Sequence, residues 1–176
     1  MYRSRGYYAE WAKRRGSGNG LLAGTVENAI PASVAIVAFL IMSQVMDQTG
    51  QIRVLALGIA AVAPPVAYAF LANFIGVLGA FMTSSNTASN ILFGPLQQET
   101  ALEFEALREP SIIAGQQSGG AIGNAIAPAN VVLGTGTAGI VGKEGDVLRV
   151  TLPWALAVAV LVGLGTIALN AFAVLG

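Results

Sequence analysis

Phe81-Met-Thr-Ser-Ser-Asn-Thr-Ala-Ser-Asn-Ile-Leu-Phe-Gly-Pro-Leu-Gln-Gln98 sets a knot of hydroxyls and amides, Thr83 to Asn90, inside an interval without charge. From Val54 to Gln98 the chain contains no Asp, Glu, Lys or Arg. In a lipid-facing segment an unpaired hydroxyl or amide is costly, so a cluster of them is expected to face a protein-lined cavity or a bound ion. The knot is therefore a candidate site before any other part of the chain is read.

A helix starting near Ser85 carries Ser85 and Ser89 on one face and Asn86 and Asn90 on another, because residues four apart are helical neighbours. Its first turn offers unbonded N–H groups and the positive end of the helix dipole, which suit a carboxylate. The hydroxyl, amide and carbonyl oxygens around it suit Na+ equally. Ser84 or Ser85 is expected to cap the helix, but capping needs one residue and the knot has many. Helical patterns run from Tyr68 to Met82 before the knot and from Thr87 to Gln98 after it. Neither is long enough to cross a bilayer comfortably, so a re-entrant hairpin with its tip in the membrane is expected.

Further charge-free intervals run from Asn28 to Met46, Pro110 to Gly142 and Val150 to Gly176. A spanning helix needs about 20 largely apolar residues, and each of these intervals is long enough to matter. With 10% charged residues against about a quarter in an ordinary soluble domain, the composition is that of an integral membrane protein. Ala29 to Met46 is the first spanning candidate, entered through Pro31, and Asp47 to Arg53 is a polar turn. Pro64-Pro65 should break the next helix. Glu99 to Glu109 is expected to be an exposed acidic loop. Ser111 to Gly142 combines polar residues, Gln116, Gln117 and Ser118 among them, with Gly115, Gly119, Gly123 and Ala127 at every fourth position. That stripe is a helix-packing face, and Pro128 should split the segment into two half-helices meeting near Ala127 to Asn130. Lys143 to Arg149 reads as a charged loop, and Leu152 to Leu175 as a final span.

Residues 1 to 20 hold five of the nine basic residues, Arg3, Arg5, Lys13, Arg14 and Arg15, and end in a Gly/Ser/Asn linker. They are expected to form a basic cytoplasmic tail, with 21 to 176 as the membrane domain. The net charge is zero, which supports no nucleic-acid partner. Cys and His are both absent, which removes thiolate nucleophiles, Ser-His-Asp triads and His- or Cys-based zinc sites. No cofactor and no enzymatic activity are expected. Gly134-Thr-Gly136-Thr-Ala-Gly139 follows Val131-Val132-Leu133 as a dinucleotide-binding turn would. The required helix and acidic residue do not follow it, so it reads as a decoy.

The residues resemble the L-lactate permease family. Thr83 to Gln97 is similar to that family's G-S-[ND]-T-x-S-N core and its following Leu-Gln segment, with Ser84 standing where the family usually has Gly. Gln117-Ser-Gly-Gly120, Ile126-Ala-Pro-Ala129 and Gly139-Ile-Val-Gly-Lys-Glu-Gly-Asp146 match further stretches in the same order. The resemblance implies symport of L-lactate, glycolate or a related 2-hydroxymonocarboxylate across the plasma membrane, with H+ or Na+ as coupling ion. It implies a substrate or ion site drawn from Thr83, Ser85, Asn86, Thr87, Ser89, Asn90, Gln117 and Ser118. Ser85, Asn86 and Thr87 form the central triplet by analogy with dicarboxylate/sodium symporters.

Members of the family are considerably longer and built from inverted repeats. This chain is accordingly expected to be an all-α, multi-pass fragment or split half, one part of an inverted-repeat transporter. Its expected surroundings are the lipid bilayer and a second chain supplying the N-terminal part. The alternative is a membrane module whose polar residues only join helices.

Overall fold

The computed structural model describes residues 18–174, which form seven α-helices with no strand among them. They are α1 (Gly18–Gln48), α2 (Gln51–Val62), α3 (Pro65–Thr83), α4 (Asn86–Glu103), α5 (Glu109–Ile126), α6 (Pro128–Ala138) and α7 (Glu144–Val174). The expected all-α class is observed. The chain divides into two units, Met1–Ala38 and Phe39–Gly176, and the packing described below lies in the second. The basic segment lies outside the described residues apart from Gly18–Gly20, which already belong to α1.

Proline and glycine place most helix ends. Ala63 and Pro64 are extended and Pro65 opens α3; Ala127 is extended, with ψ 138°, and Pro128 opens α6. A residue before proline is pushed out of the helical region, and a proline in the first turn lacks only a donor that would have no helical partner anyway. Both expected breaks are therefore present. The second is stapled: Asn130 Nδ2 donates to the Asn124 carbonyl at 2.8 Å and to Asn124 Oδ1 at 2.7 Å, satisfying groups that the break exposes.

Three expected loops are shorter than their composition suggested. The turn after α1 is only Thr49-Gly50, with Gly50 at φ 74°. α4 continues to Glu103, and Phe104 beyond it is buried, its ring 5.7 Å from that of Tyr68. Of Glu99 to Glu109 only Phe104 to Arg108 lies between helices, with Glu105, Ala106 and Arg108 exposed, while Thr100, Ala101 and Phe104 continue the inward face that Gln97 begins. Lys143 to Arg149 is helical from Glu144 onward, and Glu144 and Asp146 in the first turn complement the helix dipole. The glycine-rich decoy is the body of α6, closed by Gly139 at φ 73°.

Contacts between named residues fix the helix directions. α4 returns antiparallel along α3, since Tyr68 meets Gln97 near one end and Gly76 meets Ser89 near the other. α5 runs parallel to α3, with Gly119 over Asn73 and Gly123 over Val77. α7 runs antiparallel to both, and its buried face is Ala159, Gly163, Thr166 and Asn170. The glycine stripe of α5 acts as expected. A Cβ at Gly119 would run into the Asn73 backbone carbonyl and one at Gly123 into that of Val77, so the two backbones touch only because those side chains are missing.

The outward faces are strongly apolar. Val54, Val62, Trp154 and Leu161 are all exposed, and large exposed apolar surface marks a membrane or protein interface. Two helices among the described residues, Pro65–Thr83 and Glu144–Ala171, are long and apolar enough to cross a membrane.

Between α3 and α4 only two residues intervene. Ser84 is the only described non-glycine residue with positive φ, at 53°, and Ser85 is extended and accepts a hydrogen bond from Ala88 N–H at 3.1 Å. Ser84 thus takes the backbone conformation that glycine adopts without strain. Replacing Ser84→Gly should stabilise the hairpin by up to about 1 kcal/mol, and Ser85→Ala should cost about 1 kcal/mol through the lost cap, both read as melting shifts in detergent. Gly119→Ala should destabilise by at least about 2 kcal/mol. Gly165→Ala, inside α7 with nothing within 4 Å, should instead stabilise by up to about 1 kcal/mol through helix propensity.

Candidate functional site

The hairpin tip is locally self-supporting. Thr83 Oγ1 lies 2.8 Å from the Gly79 carbonyl and accepts from Ser85 N–H at 3.3 Å. With Ser85 as cap, Asn86 and Thr87 open the first turn of α4, where backbone N–H groups have no intrahelical partner. Serine caps a helix well because its short side chain reaches back to the N3 amide, and Ala88 is that position.

Behind the tip lies a buried polar network spanning three helices. The Tyr68 hydroxyl donates to Gln97 Oε1 at 2.6 Å. Gln97 Nε2 donates to the Ala72 carbonyl at 2.7 Å and to Gln116 Oε1 at 3.1 Å. Gln116 Nε2 reaches Ser89 Oγ at 3.2 Å and Asn90 Oδ1 at 3.3 Å. Ser89 Oγ in turn donates to the Gly76 carbonyl at 3.0 Å. Asn90 Nδ2 donates to Asn86 Oδ1 at 3.3 Å and to Gln117 Oε1. Ser89, Gln97 and Gln116 are fully buried, whereas Gln117 is exposed, so the network runs from the core to an outer mouth at the protein surface beside Gln117.

The structure brings Asn86, Ser89, Asn90 and Gln117 together. Thr83 and Ser85 shape the tip beside them. Thr87 and Ser118 are exposed, and neither side chain has a hydrogen-bond partner among the described residues. Ser118 follows Gln117 by one position, which turns it away from the shared face.

Reading the knot alone overlooks Tyr68, Asn73 and Gln97, and it underrates Gln116. Gln97 ends the same charge-free interval, and Asn73 is a lone amide in an apolar run, so an isolated amide at helix-interior depth was the usable signal. Asn73 Nδ2 donates to the Ala159 carbonyl at 2.7 Å and ties α7 to α3. Its Oδ1 is buried without a partner among the described residues.

The site holds amides, hydroxyls and a helix start. Among the described residues no group of three or more acidic side chains gathers to hold a metal ion. Such an arrangement can hold an anion by hydrogen bonding and helix dipole.

Residues 17–173 match the family model for L-lactate permease. The chain is 35% identical to the glycolate permease of Escherichia coli (strain K12) over 102 residues, covering 58% of this chain and 18% of that protein. It is 36% identical over 100 residues to the L-lactate permease of the same strain, covering 57% of this chain and 18% of the relative. With the L-lactate permease of Bacillus subtilis (strain 168) the identity is 36% over 96 residues, 54% of this chain and 17% of the relative. The matched part is therefore less than a fifth of the length of these relatives. No solved structure matches the chain significantly. Because the family match runs over nearly all of the described residues, the chain belongs to the L-lactate permease family, and it is a membrane protein of a transporter family rather than an enzyme.

Proposed function

We propose that this chain forms one wall of a monocarboxylate site in a lactate- or glycolate-type symporter of the plasma membrane. The observation that carries the reading is the start of α4: a capped helix N-terminus at Ser85–Asn86, flanked by Asn90, which donates to Gln117 of α5. The first N–H groups of α4 and the positive end of its dipole receive the substrate carboxylate, and the side chains beside them hold its 2-hydroxyl. Names of relatives that specify lactate and glycolate support this substrate class.

The α3–α4 pair acts as a re-entrant hairpin with its tip at membrane depth, and α5–α6 as the broken helix opposite. Both arrangements suit transporters that bind substrate at discontinuous helices. Transport proceeds by rocking of the bundle around the site, and the remainder of the site comes from transporter segments outside this chain, in the same or a second polypeptide. Carboxylates here, such as Glu27, Asp47 and Glu99, flank the charge-free intervals and none lies within them. Proton coupling thus draws its titratable group from elsewhere, or the coupling ion is Na+.

The same network joins α3, α4 and α5, so a purely structural module is the rival reading. A thermal-shift titration of the detergent-purified chain with L-lactate, with and without Na+, separates them. Saturation at 100 times the dissociation constant should stabilise by about 2.7 kcal/mol. Asn86→Ala should remove that shift while lowering the unliganded melting temperature by only a few degrees. A large stability loss in Asn86→Ala, with no lactate response in the unaltered chain, favours the structural module.

A further inference from the structure

An amide side chain carries its acceptor and its donor on one carbon, so each amide in a buried chain is oriented by its neighbours. The chain here begins at a group that cannot turn over. Gln97 Nε2 donates to the backbone carbonyl of Ala72 at 2.7 Å, which leaves Gln97 Oε1 to accept from the Tyr68 hydroxyl. A flipped Gln97 would set two oxygens against each other at Ala72. From that anchor the direction is transmitted outward. Gln97 donates to Gln116, and Gln116 donates to Ser89 and Asn90. Asn90 donates to both Asn86 and Gln117. The oxygens of Asn86 and Gln117 therefore both point inward. Their NH2 groups are left at the mouth, with no partner among the described residues.

We infer that Gln97 is a positioning residue: through Gln116 and Asn90 it fixes the amides of Asn86 and Gln117 with donors outward, so that the mouth selects an anionic carboxylate over a neutral amide or a bare cation. This rests on the substrate reading above and adds to it a sign, because donors alone recognise a carboxylate. A ligand carrying its own NH2 group finds no acceptor from these two side chains.

A Gln→Glu scan of the full chain tests the direction without any ligand, since Glu accepts but does not donate at neutral pH. Gln117→Glu keeps the bond from Asn90 and should shift the melting temperature by less than about 2 °C. Gln97→Glu and Gln116→Glu each lose donors in the buried part and should melt at least about 4 °C lower or fail to fold. If Gln117→Glu is as damaging as Gln97→Glu, or Gln97→Glu is harmless, the inferred direction is wrong.

The second measurement compares L-lactate with L-lactamide by thermal shift. The unaltered chain should prefer lactate by about ten-fold or more. Gln97→Leu, which leaves every mouth residue in place, should narrow that ratio to about three-fold or less; a merely structural role would weaken both ligands equally and leave the ratio alone. Gln117→Glu should lose lactate binding. If the unaltered chain ignores lactate while the Gln→Glu order holds, the substrate reading fails and the amide direction stands. If lactate binds and the ratio survives Gln97→Leu, the positioning role fails alone.

Discussion

The close approach of α5 to α3 is the contact on which the rest depends. Gly119 and Gly123 lie against the carbonyls of Asn73 and Val77 because no side chain separates them. Only at that separation can the Gln116 side chain reach Gln97 on one side and Ser89 and Asn90 on the other. Polar groups removed from water demand such partners, so the glycine stripe and the amide network are two halves of one requirement. With bulkier residues in the stripe the helices would part, and the buried amides would lose partners that water could not replace.

The hairpin follows from the same economy of space. A two-residue connection lets α4 turn back directly along α3, with Gly76 and Gly79 receiving Ser89 and Phe93. The turn requires a left-handed residue, and Ser84 supplies it at φ 53° although glycine would adopt it without strain. α7 closes the bundle on the opposite side through the Asn73–Ala159 bond, and Asn170 Oδ1 accepts from Arg108 N–H at 2.6 Å at the start of α5. Each amide at the helix interfaces thus serves a backbone group or another amide, and the network ends outward at Asn86 and Gln117.

Family membership and local geometry bear on different questions. The match over residues 17–173 establishes what kind of protein this is. The stretch matched in each of these relatives is less than a fifth of its length. The geometry adds the arrangement of donors and acceptors within the part that is present.

From the sequence alone, the helix class, the breaks at Pro64-Pro65 and Ala127-Pro128, the helix start at Ser85 and the packing role of Gly115, Gly119 and Gly123 were all legible. Each of these is a local property: proline lacks a donor, a short hydroxyl caps, and a missing side chain leaves room. Charge density does not mark a loop in either place: an inward face of Thr100 and Ala101 continues beneath the charges at the end of α4, and Glu144 and Asp146 suit the first turn of α7. The membership of the network was decided only by tertiary structure. Thr87 and Ser118 carry hydroxyls as Ser89 does, but helix rotation turns the first two outward and Ser89 into the α3–α4–α5 interface. Tyr68 and Gln97 are 29 positions apart and meet only because the chain doubles back at Ser84 and Ser85. Residue type sets which groups need a partner, whereas the pairing of helices sets which partner each one finds.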